Sequence, residues 1–78
     1  MNNKQELIHS LKESILHNEN AIDYIDNLIH KVEDELAYLE NDITLTNELN
    51  NLKYIKFILD YIGLQYESSL KKLGVVKW

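Results

Sequence analysis

Hydrophobic residues recur through the first half of the chain with the seven-residue period of a packed α-helix. With Ile8 at heptad position a, position a holds Ile8, Ile15, Ile22, Ile29, Leu36 and Ile43, and position d holds Leu11, Asn18, Ile25, Val32 and Leu39. A run of this length with one polar member predicts an apolar seam. The chain also contains no proline, so nothing forbids long uninterrupted helices.

The polar member of the seam, Asn18, leaves two interpretations of this half. A break in segment 17–20 would end a first helix, and Asn20 could then cap a second one. The heptad phase nevertheless runs through the segment, which favours a single rod over 4–41 with Asn18 as a buried polar residue that fixes register or oligomeric state. We expect the break and keep the rod as the alternative.

The second half predicts a third helix, over residues 46–73. Thr44 or Thr46 could cap its first turn. Gly63 in its interior is unfavourable for a helix, which indicates a close helix crossing or a mild kink.

The end of that helix is clearly marked in the sequence. Gly74 stands where a helix terminates in the left-handed conformation, and Val75 can contact Leu70 as in a Schellman motif. A short apolar tail, 74–78, follows, and it could either fold back over the bundle end or project towards a partner.

The third predicted helix is apolar on two faces. One face holds Leu45, Leu52, Ile55, Leu59, Ile62, Tyr66 and Leu73, and the second holds Tyr54, Phe57, Ile58, Tyr61 and Leu64. A helix that is apolar over most of its circumference must be covered on more than one side. The cover is either both other helices or a second copy of the chain.

These elements predict a single all-α domain, either a small three-helix bundle or a long helical hairpin. The expected helices span about 4–17, 20–41 and 46–73. A chain of 78 residues buries little apolar surface, and this one has no cysteine for a disulfide. We therefore expect self-association, as a dimer or a higher homo-oligomer, through coiled-coil-like packing.

Acidic residues are concentrated in the middle of a chain of net charge −5. Most of them lie between positions 19 and 42, where Lys31 is the single base, whereas lysines outnumber acids after position 43. The simpler interpretation is a solvated acidic face that complements a mildly basic third helix. The other is a surface for a basic partner, such as a host protein that binds nucleic acid. Direct nucleic-acid binding is disfavoured, because the chain has no arginine and its lysines are interspersed with acids.

The residues expected to contact a partner come from the acidic segment and from the aromatic positions. They are Asp23, Asp26, Glu33, Asp34, Glu35, Glu40, Tyr54, Phe57, Tyr61 and Trp78. Residues spaced three and four apart, as Tyr54, Phe57 and Tyr61 are, lie on one side of a helix and would form a binding stripe if exposed.

No residue pattern indicates catalysis, a cofactor or a metal. Asp26 and Asp34 flank His30 at helical spacing and could offer three ligands to a cation, but a surface histidine among acids is the expected interpretation. The chain has no glycine-rich phosphate loop and no nucleophile elbow. We expect a protein that is not an enzyme and carries neither cofactor nor metal.

Protein binding is the expected function. The chain would be a small cytoplasmic inhibitor or regulator that occludes a larger host protein, and its Asn-, Ile- and Lys-rich composition is typical of a phage or mobile element. One alternative is an immunity or antitoxin-type protein that neutralises a cognate toxin. Another is an oligomeric binder or sponge for a small anionic ligand such as a nucleotide, contacted by Lys53, Tyr54 and Lys56. No apolar stretch is long enough to span a bilayer, so no membrane association is expected.

Overall fold

Residues 3–75, which the computed structural model of the chain describes, form a hairpin of two long antiparallel helices. Helix α1 spans Asn3–Tyr38 and helix α2 spans Ile43–Lys72. The molecule measures 58 × 18 × 15 Å. Its length is that expected of the 36-residue α1 at about 1.5 Å per residue. Neither helix has an apolar run of the kind that a bilayer crossing requires, as far as residues 3–75 are concerned.

The long helical hairpin is therefore confirmed, and the expected break within 17–20, which would have given a three-helix bundle, is wrong. Helix α1 continues through Asn18 without interruption. The physical reason is that the Asn18 amide bonds to α2, so it does not compete for the backbone of its own helix. Its neighbours His17 and Asn20 are solvated.

The turn between the helices is built by a different cap from the expected one. Asp42, rather than Thr44 or Thr46, caps α2, and its carboxylate accepts a hydrogen bond from the Leu45 N–H at 2.9 Å. The Thr46 hydroxyl instead donates to the Asp42 carbonyl. Asn41 precedes the cap with φ 67°, a left-handed conformation that asparagine tolerates. An ionised side chain directly after that reversal is a stronger acceptor than a threonine further on.

The end of α2 is the Schellman motif that the sequence predicts. Gly74 has φ 87°, its N–H donates to the Lys71 carbonyl, and the Val75 N–H donates to the Leu70 carbonyl, both at 3.0 Å. Val75 also packs against the buried cluster that contains Leu70. The rest of the predicted tail, 76–78, lies outside the described residues.

The buried residues lie along the seam between the two helices. The best-packed cluster, at the end of the hairpin opposite the turn, contains Ile8, Ile15 and Leu70. Ile29 and Leu52 are buried nearer the turn. Each helix covers only the inner side of the other, so the hairpin leaves two broad faces and two outer sides open to solvent.

Candidate interaction surfaces

One broad face of the hairpin carries most of the charges that flank the seam, and is called the charged face here. Its members are Lys12, Glu19, Asp26 and Glu33 of α1 and Lys53, Lys56, Asp60 and Glu67 of α2. Two ion pairs cross it between the helices: Lys56 Nζ lies 2.7 Å from Asp26 Oδ1, and Lys53 Nζ lies 4.0 Å from Glu33 Oε2. The acidic helix thus complements the lysines of α2.

The closer of these pairs changes the acidity of its lysine. The hydrogen bond from Lys56 to Asp26 and the attraction of that carboxylate raise the pKa of Lys56, and Asp60 adds a smaller effect in the same direction. Partial desolvation opposes the rise. Lys56 is therefore held in its charged form as part of the hairpin.

The opposite broad face, called the uncharged face here, contains no ionisable side chain over most of its length. On α1 it comprises the d positions and the positions just before each a residue, and on α2 it comprises the row of Ile55, Ile58 and Ile62. Its apolar members are Leu7, Leu11, Ala21, Ile25, Leu28 and Val32 of α1 and Ile55, Ile58 and Ile62 of α2. Leu7, Leu28, Ile55 and Ile58 remain between 38% and 49% exposed. This face is aliphatic, and residues 3–75 do not cover it.

The outer side of α2 carries a third surface, the aromatic stripe, formed by Tyr54, Phe57, Tyr61 and Leu64. These four side chains are between 57% and 67% exposed. The outer positions of α2 from Asn47 to Ser68 hold no charged residue. At about 1.5 Å per residue the stripe is about 15 Å long; its Leu64 end borders the charged face, where Leu64 lines a groove with Glu19 and Ile22 of α1.

The acids expected to bind a partner are divided by the fold into two groups. Asp26 and Glu33 face lysines of α2 on the charged face. The others, Asp23, Asp34, Glu35 and Glu40, are exposed. The structure therefore does not bring the six acids together on one surface, and it places none of them in the aromatic stripe. Trp78, the remaining predicted contact, lies outside the described residues.

Asn18 and Gly63 form one contact between the two helices, and the local sequence around each residue does not predict this pairing. Asn18 is 8% exposed, and its amide donates to the Leu59 carbonyl of α2 at 3.0 Å. A β-carbon added at Gly63 would lie 2.9 Å from the Asn18 amide nitrogen. The glycine thus makes room for the hydrogen bond, and the pair fixes the register of the hairpin.

The structure also bears on the two ligand sites considered from the sequence, one at His30 and one at Lys53 and Lys56. Within residues 3–75, no three His, Cys, Asp or Glu side chains are grouped so that they could hold a metal ion. Near His30, Asp26 is instead engaged by Lys56. An anionic ligand at Lys53 and Lys56 would have to displace the carboxylates that face them.

Comparisons of the chain with protein-family models, with curated proteins and with solved structures found no match. The exposed surfaces of the hairpin are therefore the basis for proposing a function.

Proposed function

We propose that this chain is a non-enzymatic protein-binding protein that occludes a surface of a larger protein and thereby inhibits or regulates it. The observation that carries the proposal is the aromatic stripe on α2, where Tyr54, Phe57 and Tyr61 each expose more than half of their surface. Aromatic side chains are the usual anchors of protein interfaces, because they bury large apolar areas at a small cost in conformational entropy.

The spacing of the stripe favours a particular mode of recognition. Its residues stand at positions i, i+3, i+7 and i+10 of one helix, which is how an amphipathic helix presents anchors to a hydrophobic groove. The tyrosine hydroxyls allow the stripe to be hydrated in the free protein and to form hydrogen bonds at the rim of a complex. The partner would therefore present an apolar groove that accepts one helix.

The exposed acids support this proposal in a different way. Asp34 and Glu35 are exposed on α1, whereas the stripe lies on α2, so the acids are not part of the stripe. Their field would instead attract a basic partner over a distance, and salt would weaken that attraction. A basic host protein that binds nucleic acid fits this charge, and the composition that favours a phage or mobile-element origin fits such a role. A cognate toxin could be recognised through the same aromatic anchors and the same electrostatic attraction.

Site-specific photocrosslinking would test the proposal. The photoreactive residue p-benzoylphenylalanine is placed at Phe57 and, as the matched control, at the exposed Asn27 of α1, and the full chain is irradiated in bacterial lysate. We expect Phe57 to form an adduct with one defined larger protein, and Asn27 to form none. Equal adducts at both positions, or adducts only with a second copy of the chain, would contradict the proposal.

Purified components would then test the mode of binding. Tyr61→Ala should weaken binding to the crosslinked partner by at least about tenfold, as a central aromatic anchor does, and should relieve inhibition of that partner in proportion. Ser68→Ala, on the same side of α2 but beyond the stripe, is the control and should bind normally. Charge reversal at Asp34 and Glu35 should slow association at low salt and leave the dissociation rate unchanged.

A further inference from the structure

The uncharged face is a large apolar surface that no part of residues 3–75 covers. It continues the buried seam, so residues such as Ile25 and Ile62 are half-buried on the seam side while Leu28 and Ile58 remain open. A single hairpin gives each helix one neighbour, whereas helices of a bundle have two. The proposed partner does not cover this face, because the aromatic stripe points in another direction.

We infer that a second copy of this chain covers the uncharged face, so that two hairpins stack into a four-helix bundle. Each copy would place its charged face in water and its aromatic stripe on the outside of the bundle. The inference does not depend on the identity, or even the existence, of the partner proposed above.

The charge distribution identifies a second copy as the occupant. Each chain has a net charge of −5, so two copies repel one another wherever carboxylates would meet. The uncharged face carries no such group between Leu7 and Val32 on α1 or between Asn51 and Ser69 on α2. Over this stretch two identical acidic chains can therefore meet without bringing carboxylates together, since Glu35 and Glu48 lie beyond it, towards the turn.

The shape and chemistry of the face agree with this occupant. Leucine and isoleucine, rather than tyrosine, dominate it, and aliphatic side chains are typical of the interior of helix bundles. Between Leu7 and Val32 the face runs for about 38 Å, and packed helices lie about 10 Å apart, so two copies would bury on the order of 1,000 Å². That area suffices for a reversible dimer, whereas the stripe is only one helix wide.

Analytical ultracentrifugation over a wide range of concentrations tests this inference. We expect the full chain to pass from monomer to dimer as its concentration rises. Leu28→Glu and Ile58→Glu, on different helices of the same face, should each raise the dimer dissociation constant by at least about tenfold, because each buries a carboxylate in both copies. Tyr61→Glu adds the same charge to the aromatic stripe and should leave the dissociation constant unchanged.

The inference would be overturned by a monomer at every concentration, by a species larger than two chains, or by a dimer that Tyr61→Glu weakens as much as the face variants do. Circular dichroism of each variant shows whether the helices are retained. Leu28 and Ile58 are 44% and 38% exposed, so a carboxylate at either position can reach water in the monomer. Unfolding of both variants would contradict the open face itself.

Discussion

Asn18 is a buried polar residue in a mainly aliphatic seam, and its hydrogen bond to α2 selects the register of the two helices. The Leu59 carbonyl, to which it donates, is the one that in an α-helix also accepts from the N–H four residues later, that of Gly63. Sliding α2 by one residue would remove this acceptor and bury the amide without a partner, at a cost of about 1–3 kcal/mol. The contact therefore disfavours alternative registers.

A double-mutant cycle measures this contact. In the wild-type chain, Gly63→Ala gains about 1 kcal/mol of helix propensity but displaces the Asn18 amide, which costs about 1–3 kcal/mol. We expect a small net destabilisation there, and a stabilisation of about 1 kcal/mol when Gly63→Ala is made in the Asn18→Ala background. The free energy of unfolding in urea gives both values. The same effect in both backgrounds would show that the two residues are not coupled.

Each member of this contact can be singled out from the sequence, but the contact between them cannot be predicted from it. Gly63 indicates a close crossing, and Asn18 is a candidate register residue, on purely local grounds. That they meet depends on the position of the turn, because residues equally distant from the turn centre face each other in an antiparallel hairpin. Once α1 is continuous and Asn41 lies in the turn, the two positions are almost equally far from it.

At the level of the helices, the turn depends on a single capping side chain. Asp42 satisfies the Leu45 N–H at the start of α2, an otherwise unpaired donor. Asp42→Ala should lower the free energy of unfolding by about 1 kcal/mol. Thr44→Ala, at one of the caps expected from sequence, is the control and should have little effect. A larger loss for Thr44→Ala, measured by urea unfolding, would contradict this assignment of the cap.

The ion pair between Lys56 and Asp26 predicts a pH dependence of stability. The pKa of Lys56 is raised in the folded chain, so the pair stabilises the hairpin below the unfolded lysine pKa of about 10.4, and the contribution is lost as the pH rises through the folded value. Between about pH 8 and pH 12 the wild type should lose more stability than Lys56→Gln does. Parallel curves for the two proteins would rule out this coupling.

The two helix ends differ in how well local sequence determines them. The end of α2 is predictable because Gly74, Val75 and Leu70 form the whole motif within six residues of chain. The continuity of α1 is not, because it depends on an acceptor on α2 that satisfies Asn18. The cap of α2 is ambiguous locally, since several residues near Asn41 can accept a hydrogen bond, and only the conformation of the reversal selects Asp42.

For the whole molecule, stability rests on very few completely buried side chains. Leu70 is 0% exposed and contacts Ile8 and Ile15. Leu70→Ala should cost about 2–5 kcal/mol, which is comparable to the whole stability of so small a core. We expect the variant to be largely unfolded at 25 °C by circular dichroism. Phe57→Ala, in the exposed stripe, should change the unfolding free energy by less than about 0.5 kcal/mol.

The surfaces are only partly predictable from sequence. The spacing of Tyr54, Phe57 and Tyr61 predicts one common side of a helix, and the structure confirms it, but their exposure depends on how many helices surround α2. The expected acidic surface is divided because Asp26 and Glu33 face lysines that the hairpin brings opposite them. The charged and uncharged faces depend on which side of the seam each flanking residue takes, and the pairing of the two helices determines that side.

The position of the best-packed cluster has a consequence for folding kinetics. Ile8 and Leu70 meet at the open end of the hairpin, so their contact closes nearly the whole chain into one loop, and loop closure of that size is slow and entropically costly. During folding, α1 and α2 should pair first beside the Asp42 turn and then progressively towards the open end, so that this cluster forms after the transition state. A substitution that weakens this cluster should therefore raise the unfolding rate far more than it lowers the folding rate, and so shorten the lifetime of the native hairpin.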